Sequence, residues 1–330
     1  MSPAAFGPSP ASDGEQSMTR PSSGTASADV PGGPAGWHGL LELCFDVGPS
    51  GTRLVRNRHE GPLRLLKALR SEDGRRMEAV VVHPPGGLVG GDSLSIDLQV
   101  GPGARVLGTT PGAQKWYRGE TTATSCTRLA VGAQAILEWL PQPALLFDRA
   151  RARQTLAIEL DAGACCVGWE ILVRGRRAMG EGFDSGHIDQ TLSISRAGEP
   201  LWRERLHAGA EDRIFDSPLG WDRRRIAASV WCCAPEADPH SLLAVRDRWR
   251  VLIDAAGVAG QDRPEAGVGR AWPAAFSLRA GATMPADGLV LAKVLADDSE
   301  DLVSLCRQLW EAARTSLEGS AGSAPRIWRT

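Results

Sequence analysis

Along Ser93–Val100 apolar and polar residues alternate without interruption. Successive side chains of a strand point to opposite faces, so this spacing predicts a strand with one buried face. The turn Gly101-Pro102-Gly103 ends it. Comparable patterns predict strands at residues 79–82, 104–108, 124–131, 135–140, 154–160 and 165–173. More are expected at 190–195, 201–206 and 226–233, with turns such as Val131-Gly132 and Asp161-Ala162-Gly163 between strands. Many short strands punctuated by Gly and Pro predict a mainly β body. No repeat of fixed sequence is visible.

Two stretches leave this rhythm. Asp238-Pro239 supplies an N-cap and a first-turn proline, and Leu242, Val245, Trp249 and Leu252 follow at helical spacing. Later, Leu302, Leu305, Cys306, Leu309, Trp310 and Ala313 form an i, i+3, i+4 stripe behind Asp298 and Ser299. An apolar strand is expected between them at 288–295. Residues 1–36 hold Ser, Pro, Gly, Ala and Thr with scarcely a large apolar side chain, which predicts a disordered tail. A single ordered domain is expected over 37–330.

Composition narrows the possible partners. Among 330 residues, 37 Lys and Arg face 39 Asp and Glu, a formal charge of −2, so no basic field invites nucleic acid. No apolar run approaches the roughly twenty residues of a membrane span, and the start lacks a secretory pattern, so a cytoplasmic location is expected. Seven cysteines without a CxxC read as reduced core residues rather than a disulfide framework.

Chemistry concentrates in three segments. His83-Pro84-Pro85-Gly86-Gly87-Leu88-Val89-Gly90-Gly91-Asp92 prescribes a tight backbone path, but it lacks the GK[ST] ending of a phosphate loop. His83 is a structural imidazole or a transient Ni(II) donor. In Thr109-Thr110-Pro111-Gly112-Ala113-Gln114-Lys115-Trp116-Tyr117-Arg118, Lys115 could serve as a Schiff-base amine. A loop docking a partner through Lys115, Trp116, Tyr117 and Arg118 is the stronger reading, with a solvated turn as the plain one. Within Leu137-Glu138-Trp139-Leu140-Pro141-Gln142, Glu138 faces away from its apolar neighbours. It is either exposed to solvent or part of an internal polar path able to hold a divalent ion briefly. Glu170, Glu181 and Asp184 are similar candidates. There is no G-x-S-x-G elbow and no HExxH, and no Cys/His spacing is diagnostic.

These three segments, with Gly175-Arg176-Arg177-Ala178-Met179-Gly180-Glu181-Gly182-Phe183 and the closing Pro325-Arg326-Ile327-Trp328, occur in the order of the signature blocks of the urease accessory protein UreD (UreH) family, which the chain resembles over 37–330. The resemblance implies a β-helix-like body of many short strands with two helices near the C-terminus, and no catalysis of its own. It implies a maturation scaffold that binds apo-urease with UreF and the GTPase UreG and assists nickel delivery, with no tightly bound cofactor and Ni(II) only in transit. The metal candidates are then Glu138, Glu170, Glu181 and His83. The partner candidates are Lys115, Trp116, Tyr117, Arg118, Arg176, Arg326 and Trp328. The competing readings are a β-helix carbohydrate-active enzyme, to which scattered tryptophans would offer sugar platforms, and a plain adaptor that never meets metal.

Overall fold

The computed structural model describes residues 36–72, 74–235, 239–259, 278–319 and 324–329. Its first strands are β1 His38–Gly48, β2 Gly51–Glu60, β3 Arg64–Arg70, β4 Met77–Val82, β5 Gly87–Leu88 and β6 Ser93–Val100. Then come β7 Arg105–Thr109, β8 Gln114–Trp116, β9 Ala123–Val131, β10 Ile136–Leu140, β11 Ala144–Leu146 and β12 Arg151–Leu160. The last are β13 Cys165–Arg174, β14 His187–Arg196, β15 Glu199–Gly209, β16 Ile226–Cys233, β17 Arg279–Ala286 and β18 Leu289–Ala296. Helix α1 is Pro239–Ala259 and α2 is Ser299–Glu318. The fold is therefore mainly β with two helices near the C-terminus, as the patterning predicts.

One sheet has the order β15-β14-β12-β9-β6-β1-β2, and the spine of the other is β17-β18-β16-β13-β10-β7-β4-β3. From β4 to β14 the chain crosses repeatedly between them, and each crossing lays a strand parallel to its predecessor. Ile136 thus lies opposite both Arg105 and Cys165. In the other sheet Thr124 lies opposite both Ser93 and Arg153.

The crossings share one turn. The amides of Ala104, Ala135 and Ala164 donate to the carbonyls of Gly101, Gly132 and Asp161 at 3.0, 3.0 and 3.1 Å. The third turn position is left-handed each time, with φ of 69° at Gly103, 58° at Gln134 and 76° at Gly163. The alanine that follows is fully buried in every case. A repeat therefore exists in shape where none is visible in fixed sequence. Glutamine fills the left-handed position once, at the modest cost that a non-glycine residue tolerates there.

The core has two layers. Leu41, Phe45, Leu98, Leu156, Ile194 and Trp231 pack between the sheets. Trp169, Val230, Trp249, Leu305 and Trp310 fill the space between the second sheet and the helices. The expected stripe of α2 is the buried one, and the Asp298 carboxylate accepts the amides of Glu300 and Asp301 as its cap. Trp249 donates its indole N–H to the carbonyl of Leu309 at 2.8 Å, tying the helices together. The cap expected at Asp238 and, apart from Gly36, the tail expected at 1–36 lie outside the described residues. All seven cysteines are free, and Cys166, Cys232, Cys233 and Cys306 are buried.

Candidate functional site

Strands too short to show a period assemble the signature blocks. Leu88 lies opposite Trp116, Trp116 opposite Leu146, and Leu146 opposite Arg174. Across the same steps, Tyr117 N–H donates to Leu88 O at 2.8 Å, Phe147 N–H to Trp116 O at 3.0 Å and Gly175 N–H to Leu146 O at 2.7 Å. Segments far apart in the chain therefore share one side of the molecule. Gly87 is required there, because a Cβ would sit 2.4 Å from the Tyr117 ring. Tyr117 packs edge-on against Phe147 at 4.8 Å, and the Arg176 guanidinium lies 4.1 Å over Phe147. Lys115 and Tyr117 are half-buried and Arg118 is exposed, whereas Trp116 is buried inside and anchors the loop it belongs to.

Glu181 belongs to this side. It pairs with Arg176 and accepts the Asp148 amide at 3.0 Å, which holds its carboxyl below the usual carboxylate range. Asp184, exposed, donates its amide to Asp148 Oδ1 at 3.0 Å. His83 is half-buried at the end of β4, and burial pulls its imidazole below the ordinary value. At the C-terminus, Arg326 reaches Glu72 at 3.3 Å. Trp328 donates to Thr109 Oγ1 at 3.0 Å and packs against Trp169 and Trp310, docking the chain end onto the core.

Glu138 is not exposed. Strand phase turns it away from Leu137 and Trp139 towards the helix layer, where Arg76 Nη1 lies at 2.6 Å and Arg314 Nε at 3.2 Å from Oε1. Arg76 Nη2 also holds Glu318 at 2.8 Å, and Arg105 reaches Glu318 at 3.1 Å. Arg76, Glu138, Arg314 and Glu318 are almost wholly inaccessible to water. Burial pushes the Glu138 carboxyl up to about 7 against the pull of Arg76.

Glu170 faces the opposite way, into the space between the sheets. Six strands carry a polar residue at an inward position that their apolar alternation would otherwise fill: Gln154, Glu170, Gln190, Glu204, Ser229 and Lys293. Register brings them together, with Gln154 opposite Gln190, Glu170 opposite Ser229, and Ser229 opposite Lys293. Gln154 Nε2 donates to Glu170 Oε1 at 2.7 Å. Ser229 donates to Glu204 at 3.1 Å and accepts from Lys293 at 2.8 Å, and Lys293 pairs with Glu204. Glu170, Gln190, Glu204, Ser229 and Lys293 line a cavity of about 350 Å³. Burial, with Glu204 nearby, pushes the Glu170 carboxyl up to about 7 against the Gln154 hydrogen bond. The buried Gln154 Oε1 accepts no hydrogen bond among the described residues.

The fold thus keeps the four metal candidates apart. Glu138 and Glu170 occupy opposite faces of one sheet, while Glu181 and His83 lie at the loop side. No cluster of three or more His, Cys, Asp or Glu suited to a metal occurs among the described residues. No described helix is long and apolar enough to cross a membrane. Gln154, Gln190, Glu204, Ser229 and Lys293 are absent from the sequence-based candidates. Their signal was readable in principle as a polar residue in the apolar phase of a strand.

The model of the family described as UreD urease accessory protein matches residues 38–329. A urease accessory protein UreD from Dechloromonas aromatica is 37% identical over 295 residues, covering 89% of this chain and 95% of the relative. One from Pseudomonas fluorescens is 37% identical over 294 residues with the same coverage. One from Chromohalobacter salexigens is 33% identical over 328 residues, covering 94% of this chain and 96% of the relative.

Proposed function

This chain belongs to the UreD urease accessory protein family, with a role in urease maturation, and on that premise we propose that it is a non-catalytic scaffold that carries nickel in transit. In this reading it binds apo-urease together with UreF and the GTPase UreG, and the cavity between its sheets is a segment of the ion's route. The observation that supports the reading is the buried carboxylate of Glu170 facing that cavity, with the Gln154 carbonyl oxygen beside it.

The chemistry suits a cargo better than a resident ion. Carboxylate and amide oxygens are hard donors, whereas imidazole is the side chain that suits Ni(II) well, so a wall of oxygens without histidine holds the ion weakly. A single carboxylate whose pKa stands at about 7 alternates readily between protonated and metal-holding forms near neutrality. Lys293, paired with Glu204, keeps a positive charge on the wall and disfavours long residence of a dication. On the loop side, Lys115, Tyr117, Arg118 and Arg176 give a partner aromatic and guanidinium contacts on a backbone fixed by register.

Glu170→Gln, co-expressed with the urease subunits and the other maturation proteins, separates transit from mere assembly. The expected result is an intact complex on affinity capture and urease that has lost most of its nickel and activity. Full activation by this variant would reduce the chain to an adaptor without metal contact.

A further inference from the structure

We propose that the loop over residues 213–223 is a docking anchor, Leu219 entering an apolar socket bordered by carboxylates on a protein partner that closes the cavity mouth. The inference rests on the scaffold reading above and adds which surface the partner grips. Leu219 is 99% exposed and Ile214 41% exposed, and both contribute to the cavity wall. One exposed leucine is ordinary on a protein surface. This one is held out by a stiff support.

Beneath it, Phe215 and Trp221 pack edge to face at 5.2 Å, and the Arg174 guanidinium lies 3.7 Å over Phe215. Backbone bonds close the loop on itself, from Trp221 N–H to Ile214 O at 2.8 Å and from Arg223 N–H to Phe215 O at 2.8 Å. Gly220 permits this path, since a Cβ there would meet Ile214 O at 2.0 Å. Two consecutive non-glycine residues, Asp222 and Arg223, sit at φ of 48° and 63°. Such backbone costs free energy and persists only where the surroundings over-determine it, a pattern concentrated at functional sites. An apolar side chain already fixed in position loses little entropy on binding, which is the property of an interface anchor.

Charge defines the partner's border. Arg213 and Arg223 are exposed and make no side-chain hydrogen bond or ion pair among the described residues. Of the loop's carboxylates, Asp212 caps the turn through the Ile214 amide at 2.9 Å and Asp222 pairs with Arg279 at 2.8 Å. Asp216 acts on the Arg174 guanidinium, and Glu211 stands at the loop's entrance. The anchor is therefore flanked by two uncommitted guanidiniums. A socket rimmed with Asp and Glu complements these two guanidiniums.

The test measures binding of the purified full chain to apo-urease and to UreF by interferometry, with light scattering for self-association. Leu219→Glu and the double variant Arg213→Glu/Arg223→Glu should each weaken one of these complexes at least about tenfold, as expected for an anchor at the centre of an interface. Affinities within twofold of wild type in both complexes would overturn the anchor while leaving the scaffold reading intact, as would an effect confined to self-association. A wild-type chain that bound neither protein would remove the scaffold reading itself.

Discussion

Glu138 and Glu170 stand on neighbouring strands of one sheet, both buried and both with a carboxyl pushed up to about 7 by burial. Their surroundings differ in kind. Glu138 is clamped by two arginines in a closed layer between sheet and helix. Glu170 receives an amide hydrogen bond from Gln154 and looks into a cavity. A raised carboxyl pKa therefore does not by itself separate a structural group from a working one. The partner sets differ, because buried guanidiniums commit a carboxylate to one geometry, whereas an open polar space would leave it available to the moving cation proposed above.

The comparison breaks most visibly through stability. Glu138→Ala leaves Arg76 and Arg314 in the interior without their shared carboxylate, and uncompensated buried charge of this sort costs about 3–5 kcal/mol. A large fall in the denaturant midpoint should follow, with α2 loosened first, since Arg314 and Glu318 both lie on it. A Glu138→Ala protein as stable as the wild type would show that the clamp is not structural.

Glu170→Gln should act in the opposite direction. Its carboxyl is raised from the model-peptide value of 4.5 to about 7 in the folded protein. The folded state therefore keeps a proton that the unfolded chain has already released. That contribution to stability is whole below about 4.5, declines as pH rises through the interval and is gone above about 7. Glutamine retains the shape without the titration. The difference in stability between variant and wild type should consequently grow towards alkaline pH, by at most about 2 kcal/mol between pH 5.5 and 8, measured by urea unfolding. A pH-independent difference would mean that Glu170 titrates like an exposed carboxylate.

The two sites were unequally legible for the same reason that the strands were. Ser93–Val100 announced itself because its pleat alternates water and core, and α2 because its stripe runs from Leu302 to Ala313, more than three turns. β5, β8 and β11 are two or three residues between Gly and Pro turns, too short for any period, yet they align the signature blocks. β2, exposed along most of its length, shows no buried face to read. From sequence, Glu138 and Glu170 both read as either exposed to solvent or part of an internal polar path. Their separation depends on Arg76, Arg314 and Glu318, distant in sequence, and on cross-strand register that a single strand cannot reveal. The phase break was different. Gln154, Gln190 and Glu204 each interrupt an apolar alternation within one strand, and that signal is local.

The smallest effect tests whether the clamp ends where the water begins. Arg105 reaches Glu318 at 3.1 Å, but its side chain is 41% exposed, whereas Arg76 holds the same carboxylate at 2.8 Å from a buried position. An exposed guanidinium is already solvated, and its attraction is screened by salt, so a pair of this kind contributes little. Removing it leaves Glu318 still joined to Arg76. Arg105→Ala should therefore cost under about 1 kcal/mol, and less at high salt. The Arg105 backbone amide would keep its bond to Thr52 Oγ1 at 2.9 Å, so β7 stays in place. A loss as large as that of Glu138→Ala would mean that the whole network, including its wet end, acts as one charge assembly, and the contrast between a closed carboxylate and an open one would have to be redrawn around Glu318.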